Sequence, residues 1–235
     1  MEDKIGCLIV HGFGGSVWEI QPLSDYLSSK GIVTVCPKLK GHTGVRRDLA
    51  HVNYEDWIQS AQEGLDELKS KCSFIVLVGF SMGGLICVNL ALKNHVDSIV
   101  TLNTPIYYWD FKRIALNLKQ DFKRRDYKYL KFYVRTSVEK PLYSLINFRK
   151  LLYITKPLFK EINNPMLIIQ ALEDDTVQRR SADYIYKTIS SVHKELKYFT
   201  GSDHIICRSS VCSKVFNTAY EFLNKIYEMK NRSVL

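Results

Sequence analysis

A chain of 235 residues is long enough for one domain with a sizeable core. Hydrophobic residues at 46% and charged residues at 24% are ordinary globular usage, which excludes a disordered, collagen-like or low-complexity protein. Lys and Arg number 33 against 24 Asp and Glu, and the resulting +9 opens nucleic acid, an anionic membrane or an acidic substrate as partners.

The N-terminus reads Met1-Glu2-Asp3-Lys4 and then runs apolar over residues 5–10. It lacks the basic start and small-residue cleavage site of a secretory signal. No stretch approaches the roughly 20 apolar residues of a membrane span. The expectation is a soluble, cytoplasmic protein. Cysteines at 7, 36, 72, 87, 207 and 212 form no CxxC pair, so neither zinc nor redox chemistry is called for. They are expected to be free, mostly buried thiols.

Taken in chain order, short apolar runs alternate with longer amphipathic ones. Residues 6–10, 32–36, 74–79, 98–102, 166–171 and 195–199 are the expected strands. They are rich in Val, Ile and Leu with little polar alternation, as strands buried on both faces of a parallel sheet read. Helices are expected over 20–30, 57–71, 82–93, 182–189 and 211–229. The pattern is clearest where Trp57, Ile58, Ala61, Leu65 and Leu68 repeat at helical spacing. Strand–helix alternation of this kind predicts βαβ units and an α/β layer architecture.

Residues 106–160 break that rhythm. They offer no strand, but two basic, aromatic-rich helical segments at 111–125 and 142–153, punctuated by Pro141 and Pro157. Such a length is too great for a plain loop and predicts a helical insertion over the C-terminal edge of the sheet. The charge collects there: this segment carries 14 Lys+Arg and 4 Asp+Glu, while the rest of the chain carries 19 and 20. A near-neutral core therefore bears a strongly cationic insertion.

The chemistry begins with Gly79-Phe80-Ser81-Met82-Gly83. GxSxG between an apolar strand and a helix is a nucleophile elbow, a sharp turn that presents the serine hydroxyl above the sheet at a helix N-terminus. The second motif, His11-Gly12-Phe13-Gly14-Gly15, follows the first strand. A glycine-rich loop there exposes backbone N–H groups, and the amides of Phe13 and Met82 are the expected oxyanion donors. His11 itself is read as a structural, hydrogen-bonded residue of that loop.

A serine nucleophile needs a base. The histidines are His11, His42, His51, His95, His193 and His204. Catalytic groups of an α/β sheet sit beyond the C-terminal ends of strands. His204 follows the strand ending at Phe199. His95 and His193 precede strands and belong at the opposite edge, and His42 and His51 lie in the long loop after Cys36. His204 is the expected base. The acid comes from Glu173, Asp174 or Asp175 after the strand 166–171; the order Ser, acid, His suits all three, with Asp174 preferred.

Together these residues resemble the α/β-hydrolase superfamily, and in particular small bacterial carboxylesterases related to monoacylglycerol lipases. The likeness runs along nearly the whole chain: the HGFGG opening, Lys40-Gly41-His42-Thr43-Gly44, Asp56-Trp57, Gly79 to Gly84, Gln170 to Val177, and Ser202-Asp203-His204. It implies an α/β-hydrolase fold, a mostly parallel sheet with helices on both faces and a small helical cap. The core would comprise 1–105 and 161–235, and the cap 106–160. The family's D-x-x-V pattern falls on Asp174 with Val177. Two features depart from the family: Thr43 interrupts the usual GHG loop, and Asp203 stands before His204, where its carboxylate would bear on the imidazole's pKa.

The resemblance implies a carboxylesterase or monoacylglycerol lipase working through an acyl-enzyme on Ser81, His204 and Asp174. Thioester hydrolysis, amide cleavage and acyl transfer remain open on the same triad. No metal or organic cofactor is expected. The expected partner is a small-molecule ester, an acylglycerol among the candidates, with no nucleic acid. The chain is read as a monomer, with weak contact of the basic cap to anionic surfaces as a further expectation. Cap aromatics such as Tyr107, Tyr108, Trp109, Phe111, Tyr127, Tyr129, Phe132 and Tyr133 are candidates to line an acyl pocket or to pack the cap onto the core.

Overall fold

The computed structural model describes residues 4–108, 111–127, 130–131 and 141–232. Six parallel strands form one sheet in the order β2-β1-β3-β4-β5-β6. They are β1 (Ile5–Val10), β2 (Val33–Val35), β3 (Phe74–Phe80), β4 (Ser98–Leu102), β5 (Met166–Ala171) and β6 (Lys194–Phe199). Every expected strand is present, within a residue or two of its expected ends. The helices are α1 (Gln21–Ser29), α2 (Arg46–Ala50), α3 (Tyr54–Lys69), α4 (Met82–Ala91), α5 (Phe111–Arg124), α6 (Leu142–Thr155), α7 (Arg180–Thr188) and α8 (Cys212–Arg232).

The strand order determines where a site forms. After β1 the chain steps outward to β2, then returns to pair β3 on the other side of β1, with Val10 opposite Gly79. The loops leaving β1 and β3 therefore diverge to opposite faces at their C-terminal ends, the place where α/β sheets bind ligands.

Each face of the sheet has its own core. Trp57, Ala61, Leu65 and Leu68 of α3 pack on one face beside α4, with Leu151 of α6 and Ile185 of α7 in the same cluster. On the other face, Leu23 and Leu27 of α1 meet Val215, Leu223 and Ile226 of α8. Helix α4 is buried continuously from Met82 to Leu90. A helix apolar on all sides must be enclosed, and α3, the sheet and α6 enclose it.

Three differences from the sequence reading have physical causes. First, burial on both faces holds for β3, β4 and β5 but not for the edges: β2 and β6 are half-exposed, and β6 carries Lys194, Glu195 and Lys197. Second, α3 begins at Tyr54 instead of Trp57 because Asn53 and Asp56 form a reciprocal capping box (2.8 and 3.0 Å) that starts the helix three residues earlier. Third, α2 is a five-residue helix inside the long loop after β2, too short for periodicity to reveal. All six cysteines are free, with Cys36 and Cys212 only half-buried. Among the described residues, no helix is long and apolar enough to cross a membrane.

Candidate active site

Ser81 sits between β3 and α4 with φ 52° and ψ −121°, a left-handed conformation that a non-glycine residue rarely holds. The neighbours allow it. A methyl group on Gly79 would overlap the backbone of Gly83 and Gly84, and one on Gly83 would overlap the Val10 carbonyl. The Ser81 N–H donates to the Leu102 carbonyl at 2.8 Å, fixing the turn to β4. Strain here is over-determined by packing, as functional turns require.

His204 meets Ser81 from the loop beyond β6. Its Nδ1 lies 2.8 Å from Asp174 Oδ2 and its Nε2 lies 3.0 Å from Ser81 Oγ. A carboxylate only accepts, so Nδ1 carries the proton and Nε2 is left to accept the Ser81 hydroxyl. Asp174 is fixed in turn: its Oδ1 accepts the N–H groups of Thr176 and Val177, each at 2.8 Å. Its side chain is wholly shielded, and that of His204 is 15% exposed.

The three competing acids separate cleanly. Of the three, Asp174 is the one whose hydrogen bond to His204 is described. Asp175 accepts from Asn117 Nδ2 of α5 (3.0 Å) and from Thr176 Oγ1 (3.1 Å). Glu173 accepts the Gly201 N–H (2.9 Å). Asp203 accepts the Ile205 N–H (3.2 Å) and so caps its own turn.

Burial alone would push that pKa down. The charge and hydrogen bond of Asp174, with Glu19 and Asp175 behind them, outweigh burial and raise it above the ordinary 6.5. A base must be neutral to accept a proton. The acid limb of kcat/KM is therefore expected above pH 6.5, with activity falling as pH drops through it. A pH–rate profile with its inflection well below 6.5 would contradict this electrostatic account.

His11 is buried and neutral. Its Nδ1 donates to the Gly12 carbonyl (2.9 Å), Nε2 accepts from the Leu39 N–H (3.4 Å), and burial lowers its pKa to about 4. Its ring lies 5.0 Å from His42, which packs edge-on to Trp57. These residues tie the glycine-rich loop to the loop after β2. His95 and His193 lie at the opposite edge, next to Asp97 and Met166 where strands begin.

Phe13 stacks on Phe148 of α6 at 5.1 Å and packs against Trp57 at 5.7 Å. Met82 opens α4, where helix geometry supplies no partner carbonyl for its N–H. Among the candidate pocket aromatics, Tyr108 stands edge-on to Phe148 and accepts from Arg149 Nε (2.8 Å). Tyr107 packs against Lys156, Arg180 and Tyr184 instead, and Tyr127 meets Phe122 on the exposed side of α5. Trp109, Tyr129, Phe132 and Tyr133 lie outside the described residues, as does the Phe111 side chain.

Sequence reasoning missed two residues. Glu19 Oε2 accepts the Gly12 N–H (3.2 Å) beneath the glycine loop. Asn103 donates from Nδ2 to the His204 carbonyl (2.8 Å). Neither belongs to a motif, although an Asn directly after a strand was a visible signal for a left-handed residue. Among the described residues, no group of His, Cys, Asp and Glu is arranged to hold a metal.

Comparison with known proteins places the chain in a family. The alpha/beta hydrolase family model matches residues 7–209. A thermostable monoacylglycerol lipase from Bacillus sp. (strain H-257) is 31% identical over 236 residues, covering 94% of this chain and 91% of the relative. A carboxylesterase from Bacillus subtilis (strain 168) is 26% identical over 227 residues, covering 93% and 92%. Among solved structures, a soluble variant of Saccharomyces cerevisiae monoglyceride lipase superposes with a TM-score of 0.73 at 20% identity, covering 96% of this chain and 88% of that one. A structure from work on two metagenome-derived lipolytic enzymes reaches a TM-score of 0.80 at 21% identity, covering 95% and 94%. The fold, the matched span and the identity over nearly the full length agree: the chain belongs to the alpha/beta hydrolase family.

Proposed function

We propose that the chain is a serine carboxylic-ester hydrolase, acting through an acyl-enzyme on Ser81 with His204 as base and Asp174 as acid. The observation that carries this reading is the unbroken hydrogen-bond chain from Ser81 Oγ through His204 to Asp174, at the C-terminal ends of the strands. The names of the two Bacillus relatives add support for an ester substrate and make acylglycerol the first class to test.

In the first half-reaction Ser81 Oγ attacks the ester carbonyl carbon while His204 Nε2 takes its proton. Asp174 holds the imidazole in the reactive tautomer and stabilises the imidazolium. The Phe13 and Met82 amides receive the oxyanion, each worth about 2.7–4 kcal/mol of barrier by analogy with measured donors. His204 then protonates the departing alkoxide. In the second half-reaction His204 deprotonates a water, which attacks the acyl carbon and releases the acid and Ser81.

Residues 106–160 are proposed as a cap over this site, with 1–105 and 161–235 as the core. Two features support the division. Helix α6 lays Phe148 on Phe13, and Asn117 of α5 bonds Asp175 beside the acid. Helices between β4 and β5 thus touch both the glycine loop and the acid loop.

The competing chemistries share this triad and differ in leaving group. A panel of monoacylglycerols, p-nitrophenyl esters of graded chain length, acyl-CoA thioesters and peptide amides separates them. The expected result is highest kcat/KM on a glyceryl or p-nitrophenyl ester. A thioester or amide preferred by tenfold or more would overturn the ester assignment while leaving the triad in place.

A further inference from the structure

His204 has to travel to reach its partner. The sheet order places β6 at one edge, with β5 and β4 between it and β3, which delivers Ser81. The loop leaving β6 therefore crosses back over the C-terminal ends of β5 and β4. Asp174 leaves the end of β5 directly. The base is thus held by a long overhang and the acid by a short one, and their separation depends on whatever ties the overhang down.

Asn103 stands at the crossing point. It directly follows β4, is fully buried, and has φ 49°. Its own N–H donates to the Ile169 carbonyl of β5 at 2.9 Å. Its side chain then uses both ends at once: Oδ1 accepts the Ala171 N–H at the end of β5 (2.7 Å), and Nδ2 donates to the His204 main-chain carbonyl (2.8 Å). Apolar packing holds the rest of the loop, with Ile206 and Cys207 buried in the core beside α1 and α8 and the His204 ring 5.1 Å from Phe80; two further side-chain ties lie near the surface. Glu173 takes the exposed Gly201 N–H, and Arg208 Nε donates to the Trp18 carbonyl (2.7 Å) at the surface.

We propose that Asn103 is a positioning residue for the hydrolysis: its amide clamps the main chain of the base to the strand that carries the acid, and so sets the Ser81–His204–Asp174 spacing. The inference rests on the serine-hydrolase reading above. The residue type follows from the two demands. The left-handed backbone admits Asn, Asp or Gly at little cost, and simultaneous donation and acceptance requires the amide. Asp keeps the acceptor but turns the donor into a second acceptor facing a carbonyl. Gly keeps the backbone and loses both bonds.

The test uses the full chain with Asn103→Gly and Asn103→Asp, assayed well below their melting temperatures. Circular dichroism and gel filtration check that each is folded. Three readouts follow: kcat and KM on p-nitrophenyl acetate, the rate of inactivation by a fluorophosphonate, and the acid inflection of kcat/KM. Loosening His204 from its partners is expected to lower kcat and the inactivation rate together by about 10²-fold, the scale of a misplacement near 1 Å, with KM little changed. In Asn103→Gly the inflection is expected to move to lower pH, because the carboxylates facing the imidazole (Asp174, then Glu19 and Asp175) act less strongly on a ring that has shifted away; in Asn103→Asp the added carboxylate opposes that shift, so kcat and the inactivation rate are the readouts there. Asp203, on the same loop, is engaged with the Ile205 N–H and does not replace them.

A folded variant with kcat, inactivation rate and inflection all within twofold of wild type would overturn the proposal and leave Asn103 a packing residue. If Asn103→Gly fails to fold, Asn103→Asp decides, since it retains the Ala171 bond and the backbone. The wild type separates the two claims. An unlabelled wild type sinks the hydrolase reading and this inference with it. A labelled wild type beside an equally labelled Asn103 variant sinks the inference alone.

Discussion

Ser81→Ala is expected to lower kcat on a short p-nitrophenyl ester by about 10⁶-fold, the scale seen when a serine nucleophile is removed from a working triad. The fold should survive. Alanine bears the left-handed φ of this position no worse than serine does, and the glycines that accommodate the turn are untouched. What disappears is the single hydroxyl aimed at His204 Nε2. The two measurements are kcat on purified protein and a thermal melt. A folded variant with a rate within tenfold of wild type would mean that Ser81 is not the nucleophile.

Asp174→Asn should cost about 10⁴-fold in kcat with KM little changed. The amide can still accept the Thr176 and Val177 N–H groups through its oxygen, so the loop keeps its shape. The atom facing His204 Nδ1 then becomes an N–H donor, which forces the proton onto Nε2 and leaves Ser81 with no acceptor. The adjacent acids provide the contrast. Glu173→Gln keeps an oxygen that can accept the Gly201 N–H and loses only the charge, and Asp175→Asn alters a bond to α5; the described bond to the imidazole is that of Asp174. Both should keep kcat within about tenfold, the second with a small fall in the acid inflection because Asp175 contributes to the raised pKa of His204. Equal losses at Asp174 and Asp175 would contradict the assignment of the acid.

Much of this was legible in the sequence because it is written in local patterns. Apolar runs marked the strands from β1 to β5, the edge strand β6 carrying three charged residues among its six, and GxSxG between a strand and a helix marked Ser81. The edge rule singled out His204 among the histidines, since whether a residue follows or precedes a strand can be read directly. The choice among Glu173, Asp174 and Asp175 could not be read that way. Adjacent residues differ in direction, and direction is set by which backbone N–H groups each carboxylate captures. Asp203 posed the same problem: its position beside the base suggested an electrostatic role, while its side chain turns to Ile205.

The contacts of Glu19 and Asn103 were hidden for another reason. Each acts on backbone groups from other parts of the fold, Gly12 in one case and Ala171 and His204 in the other. Such contacts have no spacing to recognise until the strand order is known. The capping box at Asn53 and Asp56 was the opposite case, a local signal that moves the start of α3 to Tyr54. The aromatic residues of 106–160 divide in a way composition did not indicate: Tyr108 joins Phe148 next to Phe13, and Tyr107 braces α7.

Ser81, activated by His204, is expected to form a covalent acyl-type adduct. This is tested most directly by treating the full chain with a fluorophosphonate, digesting it and weighing the peptides. One adduct per chain is expected, on the peptide containing Ser81, formed quickly by wild type, absent in Ser81→Ala and strongly slowed in His204→Ala. An adduct on another residue, or labelling of Ser81 at the same rate without His204, would contradict it.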